Sequence, residues 1–254
     1  MITIGDRMEL MASVVLEGES VGDIGTDHGL LPLKLWLSKN LNKAIMSDMS
    51  KPSLEKAEDN FKFAFSKTGI DFKTLCDNGK ISFRVGDGLK VYEKYEVDNI
   101  IIAGMGGRLI AKILDEDLEK SWTFSKYILQ PRNGTHILRQ FLLRNGFDVV
   151  EECLVEEGKY ICEIIVAVPK RKDIVCQYTI DVNSGNDVDS VLWELPITEK
   201  IINNELLDEF INRKIQKKEK AICGLKVSGG ENKEKEIEKL KKAIETFQNR
   251  RRQM

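Results

Sequence analysis

The stretch Val21-Gly-Asp-Ile-Gly-Thr-Asp-His-Gly29 indicates how this chain folds. Its first four residues are typical of a short buried strand, and the glycines that follow permit a tight turn into a helix. Gly25 and Gly29 also let a ligand approach the backbone closely, near the N-terminus of that helix. Taken alone, the stretch is equally compatible with an ordinary turn between a strand and a helix.

Two aspartates in this stretch narrow the class of ligand. Asp27 stands where the dinucleotide-binding pattern G-x-G-x-x-G needs its middle glycine, and its carboxylate would repel a pyrophosphate. A cationic sulfonium cofactor without phosphate has no such conflict. Asp23, two residues before Gly25, suits a nucleoside cofactor with an amino-acid tail.

Acidic and glycine residues recur at the ends of the next predicted strands. Asp48 follows the glycine loop by about 20 residues, where a carboxylate can accept hydrogen bonds from ribose hydroxyls. Asp87, between Gly86 and Gly88, is placed to bind the amino group of an adenine ring. Ala103-Gly-Met-Gly-Gly107 ends the fourth strand. Each acidic residue alone is more often a turn former, but together they predict one ligand site at the carboxyl edge of a sheet.

Short β-like runs alternate with amphipathic helical stretches in the first two thirds of the chain. The predicted strands are residues 21–24, 44–46, 81–85, 99–102 and 127–129, and the predicted helices lie around residues 8–15, 31–37, 52–65, 109–114 and 137–143. This alternation favours an α/β fold with a mostly parallel sheet covered on both faces. Residues 147–155 and 160–168 predict an antiparallel hairpin that closes one side of the sheet.

The composition changes after Pro169. Residues 169–198 are interpreted as a connector, with β-like runs at 175–182 and a polar turn at 183–187. Two long helices at about 199–225 and 231–252 follow, separated by Ser228-Gly-Gly230. Apolar side chains recur along both: Leu207, Ile211, Ile215, Ile222 and Leu225 in the first, and Ile237, Leu240, Ile244 and Phe247 in the second. The second series has coiled-coil spacing, so we predict an antiparallel coiled-coil hairpin and two domains, 1–168 and 169–254.

Charge divides at nearly the same boundary. The whole chain has 39 basic and 41 acidic residues, a formal charge of −2. Lys200 to Met254 carries 15 basic and 9 acidic residues, net +6, whereas the preceding 199 residues carry 24 and 32, net −8. The basic helical hairpin is therefore a candidate surface for nucleic acid, and a solvated coiled-coil surface explains the lysines equally well.

The sequence favours a cytoplasmic protein without a metal site. It has no run near the roughly 18–20 apolar residues that a membrane span needs. Asp6, Arg7 and Glu9 stand where a signal peptide needs apolar residues. The five cysteines are widely spaced with no C-x-x-C pair, so neither a disulfide framework nor a zinc site is predicted.

Four motifs together resemble a known family. They are Ile24-Gly-Thr-Asp-His28 with Leu31-Pro32, Gly86-Asp-Gly-Leu89, Ile102-Ala-Gly-Met-Gly-Gly107 and Leu129-Gln-Pro131. Over about residues 3–168 the chain resembles the bacterial tRNA (adenine-22-N1)-methyltransferases, the TrmK family, and its helical hairpin is similar to the family's C-terminal part. The Ile102–Gly107 stretch is the most distinctive, since many amino-directed methyltransferases have Asn/Asp-Pro-Pro-Tyr there.

The resemblance implies a Rossmann-like class I methyltransferase domain that binds S-adenosyl-L-methionine. It further implies methyl transfer to N1 of adenine 22 in the D-arm region of tRNA. Arg7 matches an arginine of the family's first helix. With the strand-end pattern, the expected cofactor-binding residues are Arg7, Asp23, Gly25, Asp48, Met49, Gly86, Asp87, Gly88, Ala103, Gly104, Met105 and Gly106.

The chemistry of adenine N1 suggests the catalytic residues. N1 has its own lone pair, so the enzyme must align it with the methyl group and accommodate the charge that passes to the ring. Asp27 is the expected carboxylate for that charge, and His28 either positions the base or caps the next helix. The family commonly has Asn directly after Gln-Pro, whereas here Arg132 precedes Asn133; Asn133 is the expected catalytic residue, and which of the two takes the role is left open.

A tRNA substrate would have to present its adenine outside the helical stack. Gly104 to Gly107 would form the floor under the base, since glycines permit close approach. Phosphate contacts would come from the basic hairpin and from an edge containing Arg132 and Arg139, with Lys126 and Arg144 nearby. The sequence does not fix the oligomeric state, and a monomer is compatible with it.

Two other functions fit the same motifs. The first is a Rossmann-like methyltransferase that acts on another RNA base or on a small molecule. The second is a non-catalytic nucleotide-binding or coiled-coil docking protein in which Asp23, Asp48 and Asp87 hold a ligand without turnover. Bound S-adenosylhomocysteine would favour the methyltransferase class.

Overall fold

The chain divides into two units, Met1–Cys176 and Gln177–Met254. The structure is a computed structural model that describes residues 2–69, 71–174, 176–178, 189–198, 201, 205–227 and 233–252. The division falls inside the segment that the sequence predicted as a connector.

Seven strands and seven helices are described in the first unit. The strands are β1 (Ser20–Ile24), β2 (Lys43–Asp48), β3 (Ile81–Val85), β4 (Asn99–Gly106), β5 (Lys126–Asn133), β6 (Phe147–Glu157) and β7 (Tyr160–Pro169). The helices are α1 (Asp6–Ser13), α2 (Leu30–Lys39), α3 (Lys51–Ser66), α4 (Phe72–Asp77), α5 (Gly107–Asp115), α6 (Leu118–Ser121) and α7 (Thr135–Arg144), with a 3₁₀ turn at Gly88–Val91.

The strands form one sheet in the order β3-β2-β1-β4-β5-β7-β6. β1 to β5 pair in parallel, β7 pairs antiparallel to β5, and β6 pairs antiparallel to β7. All five residues of β1 are buried, as expected for a parallel strand covered on both faces. The predicted Rossmann-like sheet with an antiparallel end is confirmed.

The strand order reverses at β1. From β1 the chain proceeds outward through β2 and β3, and it then returns to place β4 on the other side of β1. A crevice opens at the carboxyl ends of strands where the order reverses in this way. The loops after β1 and β4 therefore face each other across the expected ligand-binding position.

Arg139 lies in the interior of the first unit, which corrects the prediction that it faces tRNA. Its side chain is fully buried; Nε contacts Glu152 Oε1 and one terminal nitrogen contacts Glu163 Oε1, both at 2.6 Å. Burial disfavours the charged guanidinium, but the two carboxylates raise the pKa of Arg139 above its ordinary value. Thr135 donates a further hydrogen bond to Glu163 Oε2 at 2.9 Å. This cluster joins α7 to the β6–β7 hairpin.

Lys126 also lies away from the edge of the sheet at which the sequence predicted contacts with tRNA. It begins β5, at the edge of the sheet opposite the crevice, and its ammonium group donates to the Val14 carbonyl at 2.9 Å and contacts Glu19. Arg132 and Arg144, in contrast, are exposed.

The second unit contains α8 (Asp189–Leu192), α9 (Leu207–Val227) and α10 (Lys233–Arg252). Arg251, near the end of α10, binds Asp208 at 3.1 Å and Asn212 at 2.9 Å near the start of α9, so the two helices pack antiparallel. The predicted packing of the C-terminal helices is confirmed. Their buried side chains are Leu207, Phe210, Ile211, Ile215, Ile222, Ala243 and Phe247.

The first long helix begins at Leu207, later than the predicted start at 199. Part of the predicted connector is folded, because α8 is followed by the buried Trp193, Leu195 and Ile197, and Tyr178 forms an antiparallel bridge with Thr198. Several predicted positions lie outside the described residues. They are the turns at 183–187 and 228–230, the β-like positions 175 and 179–182, and positions 199–200, 202–204 and 231–232 of the predicted helices.

None of the helices in the described ranges is long and apolar enough to cross a membrane.

Candidate functional site

A cavity of about 410 Å³ opens at the carboxyl ends of β1, β2 and β4. It lies where the strand order reverses. The lining comes from α1, the loop after β1, and the ends of β2, β4 and β5: Arg7, Met8, Met11, Asp23, Gly25, Thr26, Asp27, His28, Gly29, Leu30, Leu31, Asp48, Ala103, Gly104, Met105 and Arg132.

The loop after β1 places Gly25 against the end of the Met105 side chain of β4. Gly25 has a φ of +80°, and a Cβ there would lie 2.3 Å from the Met105 methyl carbon. The N–H groups of Gly25 and Thr26 donate to the Ser47 carbonyl at 2.8 and 3.1 Å, which fixes the loop against β2. The glycine motif predicted backbone at the cavity wall that carries no side chain and is held in place.

Asp23 supplies a buried carboxylate to this cavity. Burial raises its pKa to about 6, a hydrogen bond from the Thr26 hydroxyl lowers it in part, and the nearby Asp48 charge raises it again. A carboxylate held in a dry wall favours a cationic partner, because a nearby positive charge would offset the cost of its desolvation.

Asp48 adds a second carboxylate at the end of β2. It is half-buried, and its Oδ1 accepts a hydrogen bond from the Ser50 N–H at 2.6 Å. The Gly86 N–H donates to the Asp48 backbone carbonyl at 3.0 Å. These contacts hold the side chain at the cavity edge, where it can accept hydrogen bonds from hydroxyl groups of a ligand.

Asp27 and His28 lie on the cavity wall with exposed side chains. His28 Nε2 is 3.4 Å from Asp27 Oδ2. The N-cap residue of α2 is Gly29, in the left-handed conformation, so His28 does not cap that helix. Its backbone carbonyl accepts from the Asn60 amide at 2.9 Å, which anchors the loop to α3.

The end of β4 forms the opposite wall through Ala103, Gly104 and Met105. Gly104 has a φ of +78°, and a Cβ there would lie 3.5 Å from the Arg132 guanidinium. The Gly104 N–H donates to Gln130 Oε1 at 3.1 Å, so the Gln130 side chain of β5 holds the carboxyl end of β4 in place.

Several predicted site residues do not line this cavity. Gly106 is the N-cap of α5, and Asn133, its partner in β5, faces it rather than the cavity. Arg132, and not Asn133, reaches the cavity. Met49 is 73% exposed beside Asp48.

The Gly86-Asp-Gly88 motif lies next to the cavity without entering its wall. Asp87 pairs with Lys90 at 2.6 Å, and Gly88, with a φ of +55°, packs closely on Ile113. The motif therefore shapes the turn after β3, and its predicted contact with a ligand has no counterpart in the cavity lining.

Arg7 separates the first cavity from a second one of about 470 Å³. Its Nε donates to Glu157 Oε1 at 2.9 Å, and a terminal nitrogen donates to Gln130 Oε1 at 3.1 Å. The second cavity is lined by Arg7, Gly104, Gln130, Pro131, Arg132, Glu157, Tyr160, Ile161, Cys162 and Glu163. Arg7, Gly104 and Arg132 line both, so the two cavities share one wall.

Sequence reasoning missed the contribution of the β6–β7 hairpin to this second cavity. Glu157 and Tyr160 flank a polar turn, which is typical of a solvated loop. The available signal was an exposed tyrosine at the tip of a hairpin that closes the ligand edge of the sheet. In the part of the chain that the structure describes, no three His, Cys, Asp or Glu residues cluster as a metal site would require.

A family model described as a methyltransferase domain matches residues 4–165. The chain is 32% identical over 166 residues to the tRNA (adenine(22)-N(1))-methyltransferase of Bacillus subtilis, and the match covers 65% of each protein, just under two thirds of that enzyme's length.

Several solved structures match nearly the whole chain, among them the following two. The B. subtilis m1A22 tRNA methyltransferase TrmK is 25% identical, with a TM-score of 0.74 and coverage of 98% of this chain and 99% of that one. A Streptococcus pneumoniae protein, solved in complex with S-adenosyl-L-methionine, is 28% identical, with a TM-score of 0.68 and coverage of 97% and 99%.

Proposed function

The chain belongs to the methyltransferase-domain family, and from that premise we propose that it methylates N1 of adenine 22 in tRNA, using S-adenosyl-L-methionine. The family resemblance that the sequence predicted is confirmed by the similarity to the B. subtilis enzyme and to its solved structure. The observation that carries the proposal is the cavity at the strand-order reversal, whose wall combines Asp23, Asp48 and a glycine-bared backbone.

The residues of this cavity fit the proposed cofactor. Asp23 would hold the cationic amino group of the methionine tail, and Asp48 would accept hydrogen bonds from ribose hydroxyls. Gly25 and Gly104 both line the cavity with backbone that carries no side chain. The chemistry supplied from this cavity would be a methyl group carried on a sulfonium centre. We propose that five further residues lie near the cofactor without forming the cavity wall: Met49, Gly86, Asp87, Gly88 and Gly106.

The protein's task in the transfer is alignment and charge accommodation. The N1 lone pair forms the new N–C bond while the C–S bond breaks, so positive charge passes to the adenine ring. Asp27 is our proposed carboxylate for that charge, since it lies on the cavity wall with His28 at 3.4 Å. His28 would position the base, and Asn133 would support the Gly106 backbone next to it.

The Asp27 role can be tested separately from cofactor binding. We expect Asp27→Asn to lower the single-turnover methylation rate with little change in the dissociation constant for S-adenosylhomocysteine. Full turnover at unchanged cofactor affinity would refute the role. Asp59→Asn, an exposed carboxylate on α3, is a suitable control.

The RNA would be held largely by exposed positive charge on the second unit, with two exposed arginines of the acidic first unit adding to it. The candidates are the exposed lysines of α9 and α10 and the exposed Arg132 and Arg144. A tRNA-modifying role also makes the cytoplasm the proposed location.

The decisive experiment is methyl transfer to an unmodified tRNA transcript. The full chain is incubated with methyl-labelled S-adenosylmethionine, and the modified position is mapped by the reverse-transcription stop that N1-methyladenine causes. A transcript with guanine at position 22 serves as the control. Label at another base would replace this proposal with a different RNA methyltransferase. Absence of transfer to any RNA, with S-adenosylhomocysteine still bound, would favour a small-molecule substrate.

A further inference from the structure

The second cavity lies beside the first, across the wall formed by Arg7, Gly104 and Arg132. Its volume of about 470 Å³ falls within the range of roughly 300–1,000 Å³ that is common for small-molecule sites. Gly104 carries no side chain and lines both cavities, so groups bound in the two cavities would approach each other there.

We propose that this second cavity receives the acceptor adenine, and that Glu157 and Tyr160 at the tip of the β6–β7 hairpin recognise it. The inference rests on the proposed function. In this arrangement Tyr160 stacks on the base and Glu157 accepts a hydrogen bond from the exocyclic amine adjacent to N1. The N1 edge faces the shared wall at Gly104, on the other side of which Asp27 and His28 line the first cavity.

Glu157 has one carboxylate oxygen committed and one available. Oε1 accepts from Arg7 Nε at 2.9 Å, whereas the contact that the described residues provide for Oε2 is the Cys162 thiol at 4.0 Å, a weak donor. Arg7 therefore orients the carboxylate and leaves Oε2 as an acceptor on the cavity wall. The amine of adenine is a donor, whereas the corresponding group of guanine is a carbonyl oxygen, so this carboxylate would favour adenine.

Glu163, the other carboxylate of the cavity, is already engaged. It is 8% exposed, and its two oxygens accept from Arg139 at 2.6 Å and from Thr135 at 2.9 Å. Recognition of a base amine by Glu163 would require breaking this buried cluster. Glu157 is thus the carboxylate of the cavity that can bind the base.

Tyr160, at the start of β7, provides an exposed aromatic surface on the cavity. Its side chain is 63% exposed although it lines the cavity, and the Lys159 ammonium lies 5.3 Å from the ring centroid. An unstacked base gains from stacking on an aromatic ring, and Lys159 adds positive charge where the RNA backbone would pass.

The test compares adenine with purine riboside, which keeps the ring but lacks the amine, at position 22 of a ligated tRNA. For the wild-type protein we expect removal of the amine to lower kcat/KM for methylation by about 10- to 100-fold. In Glu157→Gln, the amide oxygen would face Arg7 and its NH₂ group would face the base. Removal of the amine should then cost several-fold less than in the wild type, because the interaction is already lost and only the weaker nucleophilicity of N1 in purine remains.

The control variant is Glu156→Gln, on the neighbouring residue of β6, which does not line the cavity. It should retain the full penalty for removing the amine. An equal penalty in the wild type and in Glu157→Gln would overturn the assignment of Glu157 while leaving methylation of adenine 22 intact. Failure of the wild type to methylate the adenine transcript would instead overturn the proposed function itself.

Tyr160 is tested by a pair of variants. Tyr160→Ala should lower kcat/KM by about tenfold or more, because base stacking is lost, and Tyr160→Phe should restore most of it. Affinity for S-adenosylhomocysteine should be unchanged in both variants. Wild-type kcat/KM in Tyr160→Ala would overturn the stacking role.

Discussion

The hydroxyl of Thr26 donates a hydrogen bond to the buried carboxylate of Asp23, three residues earlier in the chain. This bond favours the ionised form of Asp23 and partly offsets the effect of burial on its pKa, which stands at about 6. Thr26 belongs to the loop that lines the cavity, so this loop also favours a negative charge on Asp23 in the cavity wall.

Cofactor binding should therefore weaken as the pH falls through about 6. Protonation removes the charge that would hold the amino group, so we expect the dissociation constant of S-adenosylhomocysteine to rise about tenfold between pH 7.5 and pH 5. Thr26→Val removes the bond that favours the carboxylate, and the midpoint should move to higher pH. Isothermal titration calorimetry measures both. The same pH profile in Asp23→Asn would show that another group is responsible.

Asp23 should destabilise the ligand-free fold at neutral pH. Its pKa is raised from 3.8 to about 6 in the folded state, so its contribution to stability is fully present below pH 3.8 and is lost as the pH rises through 6. Between pH 4 and pH 7, the unfolding free energy of Asp23→Asn should gain roughly 2 kcal/mol relative to the wild type. Urea unfolding at the two pH values tests this, and Asp27→Asn, at an exposed position, should show no such gain.

Removing the guanidinium from the interior of the first unit should be costly. Arg139→Met would leave Glu152 and Glu163 buried without their arginine partner, and we expect a loss of roughly 3–5 kcal/mol in unfolding free energy. The control is Arg144→Met on the same helix, where the side chain is exposed. Equal urea midpoints for the two variants would contradict the structural role of Arg139.

Charge on the helical pair should control the salt dependence of tRNA binding. Lys239 and Lys242 are exposed on α10, and replacing both by Gln should lower the slope of log affinity against log salt concentration by about 1–2. Replacing the exposed Lys51 and Lys56 of α3 by Gln is the matched control. If the two double variants lower the slope equally, the C-terminal helices are not the main phosphate-binding surface.

The sequence predicted the central sheet because parallel strands buried on both faces are short apolar runs. The predicted bounds of β1, β2 and β3 agree with the structure to within two residues, whereas β4 and β5 continue beyond the predicted strands. Their last residues, from Ala103 to Gly106 and from Pro131 to Asn133, pair through the backbone with two register shifts, and no apolar pattern marks such pairing. The short helices α4 and α6 have too few turns to show the hydrophobic period of an α-helix in the sequence.

The sequence predicted the positions of the candidate site residues that stand at strand ends. It did not predict the contacts between residues that are far apart in the chain. Asp23, Gly25 and Asp48 follow directly from strand ends. The buried position of Arg139 depends on Glu152 and Glu163, which belong to another element, so the ordinary expectation that arginine is exposed was wrong here. The Arg7–Glu157 pair joins residues 150 positions apart, and no local pattern contains it.

The wall shared by the two cavities suggests a design for inhibitors. A molecule carrying an adenosine-like group in the first cavity and a purine-like group in the second would cross at Gly104, between Arg7 and Arg132. Such a linked compound loses its translational freedom only once, so its affinity can far exceed that of either half. Arg7 is held on this wall by hydrogen bonds to Glu157 and Gln130, and the length of the linker that crosses it becomes the variable to optimise.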